Sequence, residues 1–119
     1  MKKKQILISP NSFKECADSV TIAELIADEL KILKNADLII KPVSDGGDGF
    51  LNVCKFYFGG EARYYKIITA YDESTFECPI LYSENRKEIY IESALVLGLK
   101  VVPITLRNPL KLTSKGLGE

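Results

Sequence analysis

The sequence predicts an α/β fold that starts as a parallel βαβ unit, with helices packed on the sheet, and then makes an antiparallel hairpin excursion. Three observations predict it. Two short aliphatic runs, "QILIS" (5–9) and "ADLIIKP" (36–42), flank a stretch with helical periodicity. A loop rich in glycine and aspartate, "VSDGGDGF" (43–50), then leads into a second helical segment. Beyond residue 60 the apolar residues recur with period two, the mark of half-exposed strands.

"QILIS" is closed by Pro10 and Asn11 and reads as a buried parallel strand rather than half a helix. After the loop "PNSFKECADS", Thr21-Ile22-Ala23-Glu24 has the T-x-x-E form of a capping box. Ile22, Ile26, Leu30 and Leu33, with Ala23 and Ala27 beside them, form an apolar stripe at helical spacing. Lys31 and Lys34 suit the last turn of that helix, and Asn35 suits the residue that follows it. "ADLIIKP" supplies the second strand, and strand-helix-strand at this length is a right-handed crossover. "FLNVCKFYF", Phe50 to Phe58, is a helix that Gly59-Gly60 stops.

The excursion follows. "ARYYKIITAY" is a strand, and "FECPILYS" sets Phe76, Cys78, Ile80 and Tyr82 against Glu77, Pro79, Leu81 and Ser83. Pro79 has no N–H to give a ladder and argues for an edge position. "SENRK" turns the chain back into a third strand, "EIYIES", and Leu99 to Pro103 is one further short β-like run. The chain thus divides into a βαβα unit with its loops (1–60), antiparallel strands (61–93) and a return segment (94–119).

Composition narrows the chemistry. Lys+Arg and Asp+Glu both number 16, so the net charge is zero and no basic track offers itself to nucleic acid. Lys2, Lys3 and Lys4 precede an apolar run far short of the ~20 residues a spanning helix needs, which predicts no membrane partner and a cytoplasmic location. Cys16, Cys54 and Cys78 are odd in number and lack C-x-x-C spacing, as expected of free thiols. The absence of histidine excludes Ser-His-Asp and Cys-His catalysis and His-ligated metals. Carboxylates, lysines, hydroxyls and backbone remain.

In open α/β sheets, ligands bind beyond the carboxyl ends of the strands, which directs attention to the loops after the first two strands. Ser12 and Lys14 could offer a hydroxyl and an ammonium to a carboxylate or phosphate, or be ordinary solvated surface. Gly46, Gly47 and Gly49 would let backbone N–H groups approach an anion, while Asp45 or Asp48 could hold Mg²⁺ or accept a hydroxyl proton. The same residues also make tight turns and N-caps. Glu92 ends a strand, from which a carboxylate can enter a cleft or face solvent. Arg107 and Asn108 in "RNPL" could clamp an anion or simply form a turn.

Taken together and in order, "ISPNSFKE", "KPVSDGGDGF", "IESALVLGL" and "RNPLKLTSKGLGE" resemble the N-terminal portion of the bacterial, ATP-dependent glycerate kinases. The corresponding family stretches read approximately A-P-D-S-F-K-G, P-M-A-D-G-G-E-G-T, I-E-M-A-x-A-S-G-L and R-N-P-L-x-T-[ST]-[SY]-G-T-G-E. The resemblance implies part of a two-domain α/β enzyme with its active site in the interdomain cleft. It implies ATP and Mg²⁺ as cofactors and D-glycerate as phosphoryl acceptor. Carried over by position, it implies Lys14 and Asp45 as catalytic, Lys14 on an anionic oxygen and Asp45 on the metal or the substrate hydroxyl. Substrate binding falls to Ser12, Lys14, Gly46, Gly47, Glu92, Arg107 and Asn108, nucleotide binding to Ser114, Gly116 and Gly118, and metal binding to Asp45 and Asp48.

This sequence departs from the pattern at several positions. Asn11 stands where the family has Asp, Glu15 where it has glycine, Asp48 where it has Glu, and Val96-Leu97 where it has Ala-Ser. Family members are also roughly three times as long. The expected partners are therefore the C-terminal remainder of a kinase or a second copy of this chain. The alternative expectation is a non-catalytic remnant, either a small-acid-binding or a self-associating α/β domain.

Overall fold

The computed structural model describes residues 3–119; Lys2 of the basic N-terminal cluster lies outside them. Strands β1 (Lys4–Ile8) and β2 (Ala36–Ile40) pair in parallel, with Ile6 opposite Leu38 and Ile8 opposite Ile40. Helix α1 (Ser19–Leu30) covers one face of this pair. Ala23 and Ala27, one turn apart, are buried with Ile8, and Ile6, Leu30, Leu38 and Ile40 close around them. Two alanines at that spacing let helix and sheet approach closely, so the expected parallel unit stands. The apolar stripe is narrower than expected, because Ile26 and Leu33 are exposed.

The helix also starts earlier than the capping-box pattern predicts. Asp18 is the N-cap: its Oδ1 accepts from the Val20 and Thr21 amides at 2.9 and 3.2 Å, and its Oδ2 accepts from the Thr21 hydroxyl at 2.9 Å. Thr21 is thereby a partner of the cap rather than the cap itself. Lys31 ends the helix, so Lys34 and Asn35 belong to the turn into β2, where the Asn35 carbonyl accepts the Lys4 amide at 3.0 Å.

Helix α2 (Phe50–Phe58) occupies the expected residues and stops at Gly59, whose φ of 65° an L-residue adopts reluctantly. Strands β3 (Glu61–Ile68), β4 (Thr75–Ser83) and β5 (Glu88–Tyr90) then form an antiparallel sheet in the order β3-β4-β5. β4 is therefore central, against the expectation drawn from Pro79. Because β5 pairs only with Leu81–Ser83, the stretch holding Pro79 has a partner on the β3 side alone, and a residue without an N–H is tolerated there. Nor does the alternation along β4 mark one wet face. Leu81 and Ser83 are buried on the α2 side, where the Ser83 hydroxyl donates to the Phe58 carbonyl at 3.2 Å, and Cys78 is buried on the opposite side.

The run from Leu99 to Pro103 is not a strand. Helix α3 (Ala94–Leu97) is followed by a turn in which the Val101 and Val102 amides both donate back to the Gly98 carbonyl, at 3.0 and 3.2 Å. Val102 is buried by this local folding, which explains why its β-branched chemistry misled the pattern. A 3₁₀ turn (Ile104–Leu106) and a short helix α4 (Lys115–Gly118) complete the chain. Gly116 lies so close to β3 that a Cβ there would sit 2.1 Å from the Ile68 carbonyl oxygen. Among the described residues, no helix is long and apolar enough to cross a membrane.

The molecule is a thin slab of 62 × 35 × 17 Å with a radius of gyration of 17.9 Å. A compact chain of this length would have about 13–14 Å.

Candidate active-site cleft

The loops after β1 and β2 do meet. An open cleft of about 430 Å³ is lined by residues 12–18 on one side and by Asp48, Gly49 and Asn52 on the other, with Lys100 arriving from the segment after α3. The first wall is a tight loop in which the Phe13 amide donates to the Ala17 carbonyl at 2.9 Å and the Ala17 amide returns to Phe13 at 3.1 Å. Lys14 and Glu15 stand at its tip. Glu15 takes φ of 63°, a left-handed conformation costly for any residue with a Cβ, at the position where the resembling family has glycine.

The second wall is the glycine-rich loop, whose three glycine amides are satisfied within the chain. Gly46 donates to the Ser44 hydroxyl at 3.1 Å, and Gly47 donates to Asp45 Oδ1 at 3.0 Å. Gly49 and Leu51, at the N-terminus of α2, donate to Glu92 Oε1 and Oε2, each at 3.0 Å. Glu92 is only 4% exposed, so this carboxylate caps α2 from a distant part of the chain. Burial, together with the negative charge of Glu92, pushes the thiols of Cys54 and Cys78 above their ordinary pKa. A helix start with its amides so occupied offers an incoming anion fewer backbone donors than the glycine spacing suggested.

Side chains carry the cleft's electrostatics instead. Lys100 Nζ lies 2.8 Å from Asp48 Oδ2. The Asp48 hydrogen bond and charge, with Glu15 and Glu92 acting from farther away, hold the Lys100 ammonium above its ordinary pKa. Asp18 is held below the ordinary carboxylate range: burial pushes it up, but the hydrogen bonds from Thr21, Val20 and Asn52 outweigh that.

Of the residues singled out from sequence, the cleft brings together Ser12, Lys14 and Asp48. Asp45, Gly46 and Gly47 lie in the adjoining turn without lining it, and Glu92 is buried behind it as the α2 cap. Arg107 is spent on backbone: its Nε donates to the Val102 carbonyl at 3.0 Å and a terminal nitrogen donates to Leu99. Asn108 Oδ1 accepts the Leu110 amide at 3.0 Å, so "RNPL" locks a turn outside the cleft lining. Ser114, Gly116 and Gly118 lie around the short α4, against the end of β3. Sequence reasoning missed Asp18, Asn52 and Lys100. Asp18 carried a signal, an aspartate just ahead of a helical pattern, whereas nothing local marked Lys100.

Among the described residues, no group of three or more acidic or cysteine side chains is arranged to hold a metal ion. The carboxylates Asp45 and Asp48 fit Mg²⁺ in the looser sense that this ion takes one or two carboxylates and completes its shell with phosphate oxygens and water.

The Glycerate kinase family model matches residues 6–119. The chain is 31% identical over 116 residues to the Glycerate 2-kinase of Escherichia coli (strain K12), covering 97% of this chain and 30% of that protein. It is 32% identical to the Glycerate kinase of Halalkalibacterium halodurans, covering 96% of this chain and 30% of the relative. A crystal structure from Salmonella typhimurium LT2, designated glycerate kinase 2, superposes with a TM-score of 0.76 at 28% identity, over 98% of this chain and 31% of that one. The chain thus spans about 30% of the length of the relatives it matches. A match along nearly its whole length, in sequence and in backbone, means that the chain belongs to the glycerate kinase family.

Proposed function

We propose that this chain forms the acceptor side of an ATP-dependent glycerate kinase, an enzyme transferring the γ-phosphoryl group of ATP to a hydroxyl of D-glycerate in the cytoplasm. The observation that carries the reading is the cleft itself, in which Ser12 and Lys14 of one loop face Asp48 of the other. Phosphoryl transfer calls for positioning and charge neutralisation more than for covalent chemistry, and a hydroxyl, two ammonium groups and a carboxylate suit that demand.

Each residue has a role in this reading. Lys14 takes an anionic oxygen of the acceptor, and Ser12 hydrogen-bonds beside it. Lys100 exchanges its pairing with Asp48 for the acceptor carboxylate, which frees Asp48 to orient the reacting hydroxyl and accept its proton. Mg²⁺ with ATP, when bound, supplies the phosphoryl group and offsets its charge, and Asp45, the carboxylate not engaged in the proton transfer, is the residue that would hold the ion. Glu92 touches no substrate; it holds the wall that carries Asp48.

A second reading has one observation in its favour. Since internal acceptors occupy the Gly46, Gly47 and Gly49 amides, the chain could bind a small acid through its side chains without transferring phosphate. An ADP-release assay with Mg-ATP and D-glycerate separates the two. It is run on the chain alone and on a chimaera in which this chain replaces the matching 116 residues of the E. coli relative. Turnover by the chimaera that Lys14→Met abolishes supports the kinase. D-glycerate binding without turnover in either form supports the acid-binding domain.

A further inference from the structure

We infer that Glu15 determines the specificity of the cleft: its carboxylate restricts the acceptor to hydroxy acids with a single negative charge and turns away dianionic acids of the same size. The inference rests on the acceptor-site reading above and names the substrate class of that site. Glu15 lines the cleft from the exposed tip of the first loop, next to Lys14. The loop is pinned beneath it by the Phe13–Ala17 bridge and by the Cys16 amide, which donates to the Phe13 carbonyl at 3.0 Å. So pinned, the backbone holds Glu15 at φ of 63°, where glycine would sit without strain and a side chain does not. A charged side chain thus stands at the cleft mouth in a conformation that favours having none.

The charges around it give that side chain its meaning. The cleft is lined by the ammoniums of Lys14 and Lys100 and by the carboxylates of Glu15, Asp18 and Asp48. Asp18 is committed to the start of α1, where it accepts the Val20 and Thr21 amides. Asp48 is paired with Lys100 at 2.8 Å. Glu15 makes no ion pair within 4 Å among the described residues, although its charge acts on Lys100 through space. Of the acidic groups in the lining, it is the one whose charge is left to meet an incoming ligand.

An acceptor with one carboxylate engages both ammoniums, Lys14 and Lys100, and needs no third. A second carboxylate finds no further ammonium in the lining and comes up against Glu15 instead. Placing an unanswered like charge against the wrong ligand is an effective way to reject it, because the penalty falls on that ligand far more than on the right one. The neutral groups of the lining, the Ser12 hydroxyl and the Asn52 amide, hydrogen-bond to acids of either charge and do not discriminate between them.

The test is calorimetric titration of the 119-residue chain at low ionic strength with D-glycerate and with tartronate, a hydroxy dicarboxylate of the same carbon count. The parent chain should prefer D-glycerate. Glu15→Gln keeps the shape and removes the charge, and should raise the affinity for tartronate about tenfold and that for D-glycerate only about twofold. The difference should fade as salt is added, which a merely structural effect of the substitution would not do. Glu15→Asp restores the charge and should restore the preference, with matched thermal melts confirming that all three proteins are folded. Equal gains for the two acids, or none for either, overturn the inference and leave the acceptor site standing. Tartronate binding by Glu15→Gln but not by the parent, with D-glycerate binding to neither, keeps the charge gate and removes the acceptor reading. Binding of neither acid to any of the proteins removes both.

Discussion

Glu92 holds Gly49: its buried carboxylate accepts the Gly49 amide at 3.0 Å and, through its second oxygen, the Leu51 amide at 3.0 Å. Two otherwise orphaned amides at the start of α2 thus depend on one side chain. Replacement by alanine removes both bonds and should cost about 2–3 kcal/mol of unfolding free energy in urea titrations. Glu92→Gln keeps one accepting oxygen and should cost less. In both variants the Gly49 and Leu51 amides should exchange with deuterium faster than in the parent chain.

Glu15 sits at φ of 63° in the tip of the first cleft loop. A left-handed residue with a Cβ is strained by roughly 1–2 kcal/mol, and glycine removes that strain while adding about 0.5–1 kcal/mol of unfolded-state entropy. Glu15→Gly should therefore stabilise the chain, by up to ~1 kcal/mol in the same titration. A lowered midpoint would show that the glutamate makes a stabilising contact in the cleft.

Asp18 caps α1 with a pKa lowered by its hydrogen bonds, against the upward push of burial. A folded pKa below the unfolded one means that its contribution is fully present above the ordinary carboxylate value of about 3.9 and is lost as pH falls through the lower folded value. Asp18→Ala should cost about 1 kcal/mol at pH 7 and progressively less as the pH falls through the lowered folded pKa of the cap. A series of thermal melts from pH 7 downward measures the difference.

Lys100 pairs with Asp48 at the cleft surface, where an exposed ion pair contributes little to stability. Lys100→Met should leave the melting temperature essentially unchanged. If Lys100 receives the acceptor carboxylate, the same substitution should weaken D-glycerate binding on the order of tenfold, as loss of a charge-assisted hydrogen bond does. Calorimetric titration of the acid reads the affinity. Equal affinity in the two proteins would remove Lys100 from the acceptor site.

The parallel start, α2 and the antiparallel strands were legible because their patterns are local: aliphatic runs, helical spacing and period-two alternation. Asp18 displaced Thr21 as the cap because an aspartate that collects two amides and a hydroxyl outcompetes a T-x-x-E pattern nearby. Residues 99–103 escaped because their valines are buried by a turn rather than by a ladder. In the cleft, Ser12, Lys14 and Asp48 could be read from the loops that follow strands. The Glu92 cap and the Lys100–Asp48 pair could not, since each joins residues that only the folded chain brings together.

The Glu92 bond to Gly49 closes a loop of 43 residues, which links the cleft to the order of events in folding. Closing that loop carries an entropic cost that no local contact offsets. The later turns of helix α2 close within the helix, whereas its first turn takes its acceptor from beyond β3, β4 and β5. Chevron analysis of Glu92→Gln should show faster unfolding with little change in the folding rate, the signature of a contact made after the transition state.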